Sequence, residues 1–205
     1  MKPITIDIDV ADEDTDGYAN NDASGNGGAV TLAVNTPTDG LAHKVVVTPS
    51  GSVTGNYTLV GTDADGKSIS ETLATDTINA VTSAAYFKTL TSMTNASGVG
   101  AETIDVGWAD EVASKTYPLD VYLPYPPTVQ ANVTGTLNFD IEITNSDITT
   151  NTGQNTFIWA NEANFTGKSA DLVDDLALPG YRAMRVVLNS YSSGAELQLY
   201  MTFPY

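Results

Sequence analysis

The sequence contains no cysteine. That excludes disulfides and thiolate chemistry, and it leaves the redox compartment unreadable. Histidine occurs once, as His43, which excludes a multi-histidine metal centre and weakens any Ser-His-Asp arrangement. No apolar run approaches the roughly 20 residues that a membrane helix requires. The opening residues, Met1-Lys2-Pro3-Ile4-Thr5-Ile6-Asp7, lack the apolar stretch of a secretory signal. The expectation is a soluble protein made in a cytoplasm. Neither G-x-S-x-G nor a phosphate-cradling glycine motif is present. Basic residues are scarce too, 8 against 25 acidic ones, for a formal charge of −17. Such a surface repels phosphate backbones and excludes nucleic acid as a partner. It suits high salt, divalent cations or a basic protein partner.

What is present is a β-protein composition. The chain has 205 residues, 41% of them hydrophobic, enough for one large domain or two small β-domains with their own cores. Asn, Thr, Ser and Gly separate regularly spaced β-branched residues, as in proteins built from many short strands and turns. Ile4, Ile6, Ile8 and Val10 alternate with polar residues and predict a half-buried strand. A turn-rich segment, Ala11 to Gly28, follows. Further strands are predicted at Ala29–Val34, His43–Thr48, Asn56–Thr62, Lys67–Ala74, Ala85–Thr91 and Thr103–Trp108, with a short helical turn over Thr77–Ala84. Val129–Thr144 reads as one long strand or a bent pair, Thr156–Ala160 as a short aromatic strand, and Ser169–Leu176 as a brief helix. Arg182–Ser190 and Glu196–Phe203 read as a closing hairpin, with Leu197, Leu199, Met201 and Phe203 on one face.

Between the two halves, Ala109–Thr128 contains Pro118, Pro124, Pro126 and Pro127. Proline removes ladder donors and fixes φ, so this stretch reads as a connector. The predicted fold is all-β, with two β-sandwich domains of jelly-roll-like or Ig-like type. Residues 1–110 form the first, 111–127 the Pro/Tyr-rich linker and 128–205 the second.

Two acidic segments invite a calcium reading. In Asp63-Ala64-Asp65-Gly66, placing Gly66 at the sixth loop position puts Gly61 first and Thr72 twelfth, and neither supplies the required carboxylate. The segment suits a tight turn better, with Gly66 in the left-handed position of a bulge. In Asp12-Glu13-Asp14-Thr15-Asp16-Gly17 the carboxylates of Asp12, Asp14 and Asp16 and the glycine do fall at calcium-loop spacing, with Asn20 further on. The twelfth position is Ala23, so the candidate site Asp12, Asp14, Asp16 and Asn20 competes with a solvated acidic turn.

Asp140 and Glu142 share a strand face and invite a glycosidase reading. Alternation with Phe139, Ile141 and Ile143 explains them as a solvent face. His43 opens a strand and reads as structural. The sequons at Asn56, Asn95, Asn132 and Asn164 are what chance supplies in a chain rich in Asn and Thr. Trp108, Trp159 and the linker tyrosines Tyr117, Tyr122 and Tyr125 suit sugar stacking or a subunit-contact surface, the latter favoured. Arg182 and Arg185 stand an odd number of positions apart on one strand and face opposite sides. One pairs internally and the other is available to a partner; Arg185 is taken as the contact candidate.

The run TGNYTLVGTDADGKSISETL, then YFKTLTSMT and IDVGW, resembles a pattern in structural proteins of tailed bacteriophages. There a strand ending in a G-T-D turn leads to a G-x-x-I-x-E-T return strand. The later segments VTGTLNFDIEIT and YRAMRVVLNSYSSGAELQLYMTF are similar to the second half of such proteins. The resemblance covers most of the chain and carries no catalytic residues. It implies a non-enzymatic virion β-protein, a capsid decoration or cement protein before a neck or tail protein. Its expected partners are the major capsid protein or neck and tail proteins, with homo-oligomerisation and no cofactor beyond the calcium candidate. A carbohydrate-binding adhesion module is the alternative from another class.

Overall fold

The computed structural model describes residues 2–22, 28–74, 78–97, 102–122, 125–149, 152–177 and 180–203. These residues form fifteen strands and two short 3-10 helices. The all-β expectation is borne out, and the sheets form a β-sandwich-like arrangement. The chain divides into two compact units, the first comprising Met1–Asp12, Ala113–Thr152 and Thr156–Tyr205, the second Glu13–Val112 and Gly153–Asn155.

In the first unit, β1 (Ile4–Asp9), β15 (Glu196–Thr202), β10 (Thr128–Thr134) and β13 (Leu172–Asp175) form an antiparallel sheet in that order. Strand β1 runs against the end of the chain, Ile4 opposite Met201 and Asp9 opposite Glu196. The first strand therefore belongs with the C-terminal segments, not with Glu13–Val112. Ile6, Ile8, Val129, Ala131, Leu197, Leu199 and Met201 are buried while their strand neighbours are not, the period-two signature of a half-buried sheet. The segment expected to be a brief helix holds β13, with Val173 opposite Gln130; pairing along the edge of β10 overrides its weak helical pattern. Strands β12 (Ala160–Asn161), β11 (Leu137–Thr144) and β14 (Ala183–Tyr191) lie side by side, with β9 (Tyr117–Pro118) also paired to β14.

The predicted closing hairpin is instead a corner. β14 pairs with β11 and β9, whereas β15 pairs with β1 and β10. β10 and β11 are likewise in different sheets. The two corners bond to each other: Ser192 donates its N–H to the Thr136 carbonyl at 2.8 Å, and Thr136 donates back to the Ser192 hydroxyl at 3.3 Å. Gly135, at φ 76°, sits against Ala195, which is fully buried. A side chain there would meet both a left-handed backbone and the neighbouring corner.

In the second unit, β5 (Ser68–Ala74), β4 (Asn56–Thr62) and β7 (Thr89–Asn95) form one sheet. β8 (Ile104–Ala113), β3 (Ala42–Pro49) and β6 (Val81–Phe87) lie in sequence, with β2 (Asp14–Asp22) on β8. Their apolar cluster includes Tyr18, Val45, Val47, Tyr57, Leu59, Phe87, Met93 and Trp108. The region expected to be a turn-rich loop thus holds β2, and Ala29–Val34 forms no strand but bonds singly, by a bridge from Ala29 to Thr94 and by the N–H groups of Val30 and Ala33 to the Met93 and Tyr18 carbonyls. The helical turn expected over Thr77–Ala84 is overridden by β6, its first residue lying outside the described ones. Ala85–Thr91 is divided at Lys88, whose N–H bonds the Thr62 carbonyl. The first 3-10 helix, Gln154–Thr156, and β12 replace the predicted aromatic strand. The second 3-10 helix is Ala163–Phe165. Of the proline-rich stretch, residues 111–113 continue β8, Tyr117–Pro118 form β9, and residues 123 and 124, Pro124 included, lie outside the described residues.

The turn at residues 63–66 is as read. Asp63 N–H bonds the Lys67 carbonyl, Gly66 N–H bonds the Asp63 carbonyl, and Gly66 has φ 75°. The Asp63 carboxylate is 2% exposed and accepts three backbone N–H groups, from Asp65 at 3.0 Å, Lys67 at 2.9 Å and Gln154 at 2.5 Å. Gln154 also donates its side-chain amide to Asp65 at 3.1 Å. The carboxylate of Glu71, in the return strand, accepts the N–H groups of Ala84 and Ala85, each at 2.8 Å. Asp63→Ala strands three donors and should cost about 2–4 kcal/mol in urea unfolding, with Asp63→Asn intermediate at about 1–2 kcal/mol. An unchanged midpoint in both would refute the clamp.

Candidate interaction surface

The DEDTDG segment does not form a loop around an ion. Asp14 begins β2 opposite Trp108, and the Asn20 side-chain amide bonds the Asp16 carboxylate. Gly17 lies against the Trp108 ring, and Gly107 lies against the backbone of Asp14 and Thr15. Both glycines are explained by close approach of two strands, not by the turn of a calcium loop. Burial, and then hydrogen bonding to Asp16, raise the Asp14 pKa. Among the described residues no group of three or more His, Asp or Glu side chains is placed to hold a metal ion. Asp12 and Asn20 are exposed at either end of the segment.

Trp108 is 3% exposed and packs edge-on against Tyr18 at 5.1 Å. It belongs to the core and offers no face to a sugar. Burial and then Asp39 hold the Tyr18 hydroxyl pKa well above its usual range. His43 is fully buried, its Nδ1 3.0 Å from the Ala109 carbonyl and its Nε2 2.9 Å from the Asp39 carboxylate. Both ring nitrogens face acceptors, so neither is available as a general base.

Asp140 and Glu142 do not face solvent either. Asp140 is 8% exposed, accepting the Gly167 N–H and, at 3.2 Å, the Asn161 amide. Glu142 stands opposite Arg185 and accepts its Nε–H at 2.6 Å. The Arg185 guanidinium lies 4.5 Å from the centre of the Trp159 ring, which meets Phe157 edge-on at 6.0 Å. Arg185, expected to reach a partner, is thus an internal residue, 8% exposed. The outward arginine is Arg182, with half its side chain exposed and its guanidinium 3.6 Å from Asp147. Hydrogen bonds from Thr149, and then Arg182, lower the Asp147 pKa.

The other contact candidates divide. Tyr117 is half-buried in β9 beneath the Lys115 ammonium, 5.2 Å from the ring centre. Tyr122 and Tyr125 are 89% and 64% exposed. Trp159 is half-buried, one face taken by Arg185.

The sequence reading missed Ile158. Its side chain is 81% exposed, yet its backbone is held on both sides. Its N–H bonds the Ser146 hydroxyl at 3.0 Å, and its carbonyl accepts from the Thr144 hydroxyl at 2.7 Å. Ile158 borders a cleft of about 460 Å³, shared with Ile143, Ala160 and Tyr181 among others. Burial, and then Glu162, raise the Tyr181 pKa. On the flank of Tyr181, Leu119 N–H bonds the Arg182 carbonyl and the Val121 carbonyl approaches Gly180. The cleft and the Val121–Tyr122 turn therefore flank one segment, residues 180–182. The available signal was the apolar run Phe157-Ile158-Trp159 inside a polar stretch.

The two arginines should behave oppositely. Arg185→Ala removes a mostly buried ion pair and a ring contact and should cost about 2–4 kcal/mol. Arg182→Ala, at an exposed pair, should leave the urea midpoint essentially unchanged. Equal effects would contradict the assignment.

Among the described residues, no helix is long and apolar enough to cross a membrane. No family model matches the chain, and no curated protein matches it. Among solved structures, the chain is similar to the major capsid protein P2 from bacteriophage PM2, at 10% identity over 98% of each chain with a TM-score of 0.22. A likeness at that score is too weak to carry an argument.

Proposed function

We propose that this chain is a non-enzymatic structural protein of a phage virion, a capsid decoration or cement protein before a neck or tail protein. The observation that carries the reading is Ile158, a large apolar side chain almost wholly in solvent on a backbone pinned by two hydroxyls. Ile158 does not stand alone, since it borders the cleft walled by Ile143, Ala160 and Tyr181, and an apolar patch held outward suits a contact surface. The sequence resemblance to tailed-phage structural proteins supports the same reading. So does the use of the reactive side chains, since His43 is engaged on both nitrogens and Asp63, Asp140 and Glu142 are bound to partners within the fold.

The reading predicts that the purified protein co-sediments with empty capsids of the encoding phage and saturates at a fixed ratio to the major capsid protein. A cement role further predicts that decorated capsids resist heat better than bare ones. A low ratio, of a few copies per particle, would move the protein to the neck or tail. Protein that stays in the supernatant at micromolar concentration would overturn the proposal.

A further inference from the structure

The cleft beside Ile158 carries its own electrostatic signature. Arg182 is paired with Asp147. Asp120 lies in the adjacent turn, bonded to the Tyr122 N–H at 2.9 Å. Two carboxylates, Asp120 and Asp147, thus stand at the patch against the single Arg182 guanidinium, on a chain of net charge −17. A second copy brought face to face would set these carboxylates against one another, which disfavours self-pairing. A basic surface would meet them favourably.

The apolar part has the size of an anchor. Tyr122 at 89% exposure offers roughly 130–220 Å², and Ile158 and the cleft walls add to it. A standard interface takes about 800 Å² from each partner, with its energy concentrated in a few central residues. The exposed residues would supply that centre and the carboxylates its rim.

We propose that the Ile158–Tyr181 cleft and the adjoining Val121–Tyr122 turn form a docking site for a different protein, one that presents an aliphatic or aromatic side chain ringed by lysine or arginine. The partner's side chain enters the cleft beside Ile158, and its cations face Asp120 and Asp147. The proposal rests on the virion reading only for which protein supplies that surface.

The test needs no particle. The probe is a seven-residue peptide with a Leu-Phe-Leu centre between lysine pairs, titrated into the full-length protein with isoleucine methyl groups observed by NMR. Expected are shifts at the Ile158 methyl, affinity about tenfold weaker for a glutamate-flanked analogue, and a similar loss for lysine pairs around a Gly-Ser-Gly centre. Ile158→Asp should abolish binding with the melting temperature unchanged. Val173→Asp, at a comparably exposed apolar position on β13, should leave binding intact. Absent binding, equal affinity for the analogues, binding that survives Ile158→Asp, or self-association abolished by Ile158→Asp would each overturn the proposal. Peptide binding without capsid binding would leave this site standing and sink the virion reading; the reverse would do the opposite.

Discussion

A carboxylate accepting backbone N–H groups is the interaction on which both units depend. With 25 acidic and 8 basic residues, the chain cannot pair most of its acids with cations. It buries several and satisfies them with its own loops. Asp63 holds the β4–β5 turn and the Gln154 N–H. Glu71 spans two N–H groups of β6. In the first unit, Asp140 accepts the Gly167 N–H, while Glu162 accepts those of Asn164 and Ala177. Buried donors without partners are costly, and a charged acceptor bonds them more strongly than a neutral one. Part of the chain's acidity is therefore architectural.

The same device orders the segment that follows the exposed apolar patch. Asp140 and Glu162 organise residues 161–177 over β11, assisted by paired backbone bonds between Phe139 and Lys168. Phe165 is fully buried within that excursion. That excursion is thereby ordered, and Ile158, which precedes it, is pinned separately by the hydroxyls of Thr144 and Ser146. Arg185 secures the inner side by joining Glu142 to Trp159. A scaffold of this kind turns an irregular segment into a surface of defined shape.

What the sequence made legible was local. Alternation identified most strands, and turn chemistry identified the Asp63–Gly66 turn, because both depend on neighbours a few residues away. Alternation could not say which sheet a strand joins, so β14 and β15 read as a hairpin when they form a corner. It also could not say that a later loop covers a polar face, which is why Asp140 and Glu142 read as solvent-facing. Parity correctly put Arg182 and Arg185 on opposite sides but could not say which side is inside. Gly17 mimicked a calcium-loop glycine because a glycine under a tryptophan ring looks the same in sequence. Ile158 was hidden for the converse reason, since exposure of an apolar residue is set by tertiary bonds to its backbone.

The central proposal is that this chain is a component of a virion particle. Quantitative mass spectrometry of particles purified by density gradient tests it most directly. The account predicts the chain in the particle band at a reproducible ratio to the major capsid protein, retained through washing at moderate salt. Its recovery only from the soluble lysate, with none in the particle band, would contradict the account.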